Sequence, residues 1–210
     1  MTDLPPDCQS ALQTPVMQNI YRVESGFNPF AIGVVGGRLV RQPKNLDEAV
    51  ATAKYLVSLN MNFSIGQGQV NRVHFSRLGW DKNIQAGFDV CKNVIAAHRI
   101  FQECHSRAIS SGISAKQDYS STAAALSCYY SGKLYAGKTN LDVRRYINKV
   151  FSTPFNEVVK ADNMSLVIPL AKQKSIHRST VKNRGNSMLL NNNISINNTT
   201  SMMLNQKGEN

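Results

Sequence analysis

Glu24 is the residue whose surroundings most invite chemistry. It follows Val23 at the last turn of an apolar helical stretch and stands directly before the turn formers Ser25-Gly26 and Asn28-Pro29. Shielding from water and the negative end of a helix dipole both disfavour a carboxylate. A carboxyl that keeps its proton near neutral pH is what a general acid requires. On spacing alone, a solvent-facing glutamate at a helix end is the more ordinary outcome, so burial of the side chain is the deciding property.

A second group of interest is Gly66-Gln67-Gly68-Gln69-Val70-Asn71. Its two glycines permit close approach of a backbone or a flat ligand. In an extended segment Gln67, Gln69 and Asn71 share one side and present amide donors and acceptors suited to sugar hydroxyls and N-acetyl groups. A polar edge strand is the plainer alternative. Neither this run nor Gly33-Val34-Val35-Gly36-Gly37 is followed by the Lys-Ser/Thr or the helix that a phosphate-cradling loop needs. Tyr129-Tyr130, ahead of Ser131-Gly132, and Tyr146 supply ring hydroxyls able to line a groove, although aromatics at helical spacing more often pack in a core. His74, His98, His105 and His177 form neither H-E-x-x-H nor H-x-x-x-H, so no metal is expected, and no G-x-S-x-G elbow occurs.

Mostly helical elements must position these residues. Thr14-Pro15 is expected to open a helix carrying Val16, Met17, Ile20 and Val23 and ending at Glu24. Ala31 to Val40 reads as an irregular loop or short hairpin, and Asn45 with Glu48 caps a helix reaching about Leu59. Residues 62–71 suggest a short strand or extended loop. Asp89 caps a long helix with Val94, Ala97, Phe101 and Ala108 on one side. A helix over 120–130 places Ala123, Leu126 and Tyr130 on one face, and Asn140 caps a last helix with Val143, Tyr146, Ile147 and Val150 inward. The fold class is therefore mainly α (α+β) with a minor strand segment. The folded domain is expected to cover 1–160, and the Asn/Ser-rich residues 161–210, which lose all periodicity, read as a disordered tail.

The chain has 210 residues, 42% of them apolar, enough for one domain with a real core. No run of about 18 apolar residues exists, so no membrane span is expected. The first residues, MTDLPPDCQS, lack a basic region followed by an apolar run, so no secretory signal is visible there. The net charge of +11 and a pI near 9.7 favour an acidic partner: nucleic acid, anionic lipid or a polyanionic cell wall. Nucleic acid is disfavoured because no finger, repeat or aromatic-basic signature accompanies the charge. Cys8, Cys91, Cys104 and Cys128 show no zinc spacing; their even number suggests two disulfides and an oxidising compartment, against four reduced, buried thiols. Three pairings exist and spacing does not choose among them. Cys8–Cys91 with Cys104–Cys128 is adopted as the pairing to test.

In order along the chain, Glu24-Ser25, Gly66 to Gln69, Cys128-Tyr129-Tyr130-Ser131-Gly132 and Tyr146-Ile147-Asn148-Lys149-Val150 resemble the signature of the soluble lytic transglycosylase family, whose fold is lysozyme-like. VESGFNPFAIGVVGGRLVRQP, NFSIGQGQVN and FDVCKN resemble, more narrowly, the VirB-type transglycosylase subunits of type IV secretion systems. The resemblance covers about residues 8–155. It departs at Tyr130, where the family has asparagine, and at Val90, where Phe-Asp-Pro is common. It implies Glu24 as the acid/base, Ser25 and Gln69 as substrate-positioning groups, and Tyr129 near the carboxyl; Asn71 and Tyr146 complete the expected binding set. The implied reaction cleaves the MurNAc–GlcNAc β-1,4 bond of peptidoglycan with one carboxyl and leaves a 1,6-anhydro product. A lysozyme-like hydrolase, with Asp47 or Glu48 as second carboxylate, and a wall-binding assembly protein are the alternatives. The expected partners are glycan strands and secretion-channel subunits, and the expected state is a monomer in the periplasm. Export then requires a signal upstream of Met1 or already removed.

Overall fold

The computed structural model describes residues 4–113 and 120–152, together with Val167–Ile168. The chain opens with a helix that the sequence reading left unassigned, α1 (Pro6–Gln13). Proline at its first position is preorganised for helical φ, and Cys8 and Ala11 face the core. The expected helix over the next segment is α2 (Pro15–Ser25). Thr14 occupies its N-cap position, but the hydroxyl donates backwards to Ser10 O at 2.8 Å. The predicted cap bond is thus replaced by one that closes α1.

The minor sheet comes next. Strand β1 (Ile32–Val34) and β2 (Arg38–Leu39) precede helix α3 (Leu46–Ser58), and β3 (Phe63–Ile65) and β4 (Val70–Asn71) follow it. Residues 31–40 do not form a hairpin with themselves. Instead β1 pairs antiparallel with β3 (Ile32 opposite Ile65), and β3 with β4 (Ser64 opposite Asn71). The alternation explains the choice: Ile32, Val34, Phe63 and Ile65 all project into the core, and only this register buries the four together. Strand β2 pairs in parallel with β5 (Val167–Ile168), which falls inside the range read as tail. The expected boundary at 160/161 and the remainder of the tail lie outside the described residues. The Asn45 side chain accepts the Glu48 amide at 2.9 Å, as predicted, while the Glu48 carboxylate turns to Lys44 N and to Arg41 rather than completing a capping box.

A 3-10 turn (Arg72–His74), the short α4 (Phe75–Leu78) and a second 3-10 turn (Ile84–Phe88) lead into the long α5 (Val90–Ser110). Asp89 caps α5 by accepting Lys92 N at 2.9 Å, so valine in place of proline at position 90 leaves the helix start intact. Then follow α6 (Ser121–Ser131), the short α7 (Ala136–Thr139) and α8 (Leu141–Ser152). Ser120 and Asn140 supply the N-caps, and Gly132, with φ of 76°, ends α6. Val143, Tyr146, Ile147 and Val150 are buried as predicted. Tyr130 is not: Ala123 to Cys128 pack inward, and Tyr130 emerges on the surface. Among the described residues no helix is long and apolar enough to cross a membrane.

Both disulfides terminate on α5. Cys8–Cys91 ties α1 to its first turn, and Cys104–Cys128 ties α6 to its middle. The sequence separations of 83 and 24 residues close long loops in the unfolded chain, worth about 3–5 kcal/mol each in the chain-entropy picture. Reduction should therefore lower the thermal midpoint by at least ~10 °C. Melting in dithiothreitol, with free thiols counted, checks this; an unmoved midpoint with four titratable thiols would refute the structural role.

Candidate active site

Glu24 lies four residues after Ile20 and three after Tyr21, so it continues the inward stripe of α2. The helix stops directly behind it. Gly26 adopts φ of 60°, Gly26 N donates to Arg22 O at 3.1 Å, and Phe27 N donates to Tyr21 O at 3.3 Å. Phe27 itself holds a left-handed φ of 64°, with the Arg22 guanidinium 5.5 Å from its ring centre. Asn19 Nδ2 donates to Val150 O at 3.0 Å and so fixes α8 alongside α2.

The Glu24 side chain retains part of its surface, but protein surrounds the carboxyl. Burial pushes it up to about 7 from an ordinary 4.5, and the Tyr146 hydroxyl pulls in the opposite direction. That hydroxyl is buried and sits close enough to act on the carboxyl, yet it falls outside strict hydrogen-bond geometry and has no other partner among the described residues. The two groups are neighbours, not a closed pair. Burial, and next the Glu24 charge, raise the phenols of Tyr129 and Tyr146 well above the usual tyrosine range. Both rings are therefore neutral hydroxyl donors at physiological pH.

Residues Gly66 to Gln69 form the turn of the β3–β4 hairpin, closed by Gln69 N to Gly66 O at 3.1 Å, with φ of 76° at Gly66 and 48° at Gln69. This turn meets the end of α2 through Ser25 Oγ, which donates to Gln67 O at 2.7 Å. It meets α6 through the Tyr129 hydroxyl, which donates to Gly68 O at 2.6 Å. Beneath it, the buried Asn93 of α5 accepts Gly68 N at 2.7 Å and donates to Ile65 O and Gly87 O at 3.0 and 2.8 Å. A Cβ at Gly66 would stand 2.2 Å from Asn93 Nδ2, and one at Gly68 2.4 Å from the Ala97 Cβ. Only glycine lets the turn settle this closely on α5.

Ser25 and Tyr129 thus hold one hairpin turn from two helices, and Glu24, next to Ser25, has Tyr146 of a third helix beside its carboxyl. The amide row expected on one side of an extended segment does not exist, because the left-handed residues at 66 and 69 curl the chain. Gln67 is buried. Gln69 spends its amide hydrogens on Ala31 O and Gly66 O at 3.1 and 2.9 Å, and its Oε1 lies 2.5 Å from where a Gly33 Cβ would stand. Asn71 accepts Val73 N and donates to Ser64 Oγ. These three residues build the turn rather than present a joint amide surface. Of the suggested second carboxylates, Glu48 is occupied by Arg41 and Lys44 N, which hold it down to about 2, and Asp47 is exposed in the first turn of α3. Sequence reasoning missed Asn93; its signal was a carboxamide four residues before Ala97, on the apolar face of α5.

Residues 6–150 match the family described as the Transglycosylase SLT domain. The chain belongs to that family. The matched range of the SLT domain includes every residue that converges on the turn. The chain is also 43% identical over 147 residues to the type IV secretion system proteins virB1 of Brucella abortus biovar 1, Brucella melitensis biotype 1 and Brucella suis biovar 1. The alignment covers 70% of this chain and 60% of each relative, so the SLT chain spans less than two thirds of their length. No solved structure matches it. Among the described residues of the SLT domain, no three His, Cys, Asp or Glu side chains gather as a metal-ligand set.

The raised Glu24 pKa has a stability consequence. Between the unfolded value near 4.5 and the folded value of about 7, the native state holds a proton that the unfolded chain releases. The resulting stabilisation is complete below 4.5 and is lost as pH rises through 7. Glu24→Gln should therefore match wild type near pH 4 and exceed it at pH 8 by about 1–3 kcal/mol, after discounting for partial exposure. Urea melts at both pH values measure this; equal stability at pH 8 would show that the carboxyl is solvated.

Proposed function

We propose that this protein is a peptidoglycan lytic transglycosylase that opens the cell wall locally for a type IV secretion system. The observation that carries the proposal is a single carboxyl, Glu24, pushed up to about 7 at the meeting point of α2, the hairpin turn, α6 and α8. Membership of the SLT family and the likeness to virB1 proteins support this reading of substrate and setting. The net charge of +11 suits an anionic wall.

In the proposed reaction, protonated Glu24 gives its proton to the glycosidic oxygen between N-acetylmuramic acid and N-acetylglucosamine. The C1–O bond breaks and the N-acetylglucosamine end leaves as an alcohol. Positive charge develops on the sugar at C1, where the substrate's own N-acetyl group can help to stabilise it. The C6 hydroxyl attacks C1, forming the 1,6-anhydro bond, and returns its proton to Glu24. The nucleophile is already tethered, so ring closure gains from proximity over bulk water. The Tyr146 hydroxyl lies beside the carboxyl to donate to its transient anionic form, while Ser25 and Tyr129 keep the hairpin turn against the catalytic helix end. Gln69 holds the turn by its own bonds, and a substrate contact from it would use Oε1. No second carboxylate and no cofactor are needed.

Glu24→Gln should retain the fold and lose at least ~1000-fold in clearance of peptidoglycan suspensions, and wild-type kcat should fall as pH rises through about 7. Mass spectrometry of the wild-type digest should show anhydro-muropeptides. Near-normal clearance by the variant would remove Glu24 from the mechanism, and reducing ends would reassign the protein as a hydrolase. The proposed setting is the periplasm, with the protein acting as a monomer and channel subunits of the secretion system as its partners. In cells carrying such a system, tagged Glu24→Gln protein should co-purify with channel subunits after crosslinking; recovery no greater than with an unrelated lysozyme control would count against that association.

A further inference from the structure

The rings of Tyr130 and Tyr146 stack with centroids 4.6 Å apart and planes inclined by 27°. The pair is unequal: Tyr146 is 5% exposed and Tyr130 is 49% exposed. One face of Tyr130 therefore rests on a buried ring that borders Glu24, and the remainder of its surface is bare. Six consecutive residues before Tyr129, Ala123 to Cys128, turn inward, so the exposure at 130 is specific to the end of α6, beside the carboxyl. An aromatic ring held from behind and open in front loses little conformational entropy when something packs on it. Sugars of the N-acetylhexosamine type offer a matching surface, a flat array of C–H groups with an N-acetyl methyl. This is also the position at which the chain departs from the asparagine of the family signature, so a ring replaces an amide next to the site.

We propose that Tyr130 is a binding platform for the glycan, its open face packing against an N-acetylhexosamine unit adjoining the bond that Glu24 cleaves. The inference rests on the reading of Glu24 as a glycan-cleaving acid. The platform sets affinity and the position of the strand, not the proton transfer.

The test uses the full chain with Glu24→Gln, so that the ligand stays intact. The probes are peptidoglycan glycan strands freed of stem peptides and, separately, chitohexaose. Adding Tyr130→Ala or Tyr130→Asn should weaken binding about tenfold, whereas Tyr130→Phe should stay within about twofold, because the ring and its stack on Tyr146 persist. In the active protein, Tyr130→Asn should raise KM about tenfold while leaving kcat and its fall near pH 7 in place. A purely structural role through Tyr146 would instead move kcat and the pH profile while leaving KM unchanged, and that pattern overturns the platform. Equal Kd for parent, Ala and Asn variants, each shown folded by its melting curve, overturns it while the glycan reading stands. No binding of either probe by the Glu24→Gln parent overturns both.

Discussion

A single buried carboxamide connects the longest helix to the turn on which the site is assembled. Asn93 satisfies a backbone amide of Gly68 and two carbonyls, those of Ile65 and Gly87, from a position that is 1% exposed. Leaving those groups unpaired in the interior would cost about 1–3 kcal/mol each. The turn carries few apolar anchors of its own, so its placement follows from this polar clamp and from glycines that admit no Cβ. The Gly68 carbonyl then faces Tyr129, and the Gln67 carbonyl faces Ser25. Remove the clamp and the partners of two further helices lose their register.

The electrostatic character of the site follows from what surrounds the carboxyl. The phenols of Tyr129 and Tyr146, which feel its charge, are held in neutral form and can donate hydrogen bonds without supplying positive charge. The contrast with Glu48 is instructive. That carboxylate sits on the surface beside Arg41 and is held down to about 2, whereas Glu24 is pushed up to about 7 by burial. Environment alone thus moves two glutamates of one chain in opposite directions, and only the one at about 7 is suited to exchanging a proton near neutral pH.

Much of the helical framework was legible because it depends on local rules. Asn45, Asp89 and Asn140 each cap the helix that their positions predict, and the spacing of Val143, Tyr146, Ile147 and Val150 identifies the buried face of α8. Glu24 was legible as a carboxyl at the end of an apolar helix. What escaped were features set by distant partners. The fate of residues 31–40 depended on β3 and β5, which spacing within the segment does not reveal. The roles of Gln67, Gln69 and Asn71 changed because two left-handed residues curled a segment expected to be extended into a tight turn, and Gln69 is not a residue type that announces such a conformation. Tyr130 fits a helical face by count, yet it emerges beyond the buried run of α6.

Helix α5 also carries both covalent crosslinks, at Cys91 and Cys104, joining it to α1 and to α6. In a reducing compartment these ties are absent, and the newly made chain must hold the clamp, the turn and the tyrosine-bearing helix by non-covalent packing alone. With both crosslinks in place, α5 keeps α1 and α6 beside it even when the surrounding packing loosens, so the stiffness of the clamp and of the turn seated on it is tied to an oxidising environment.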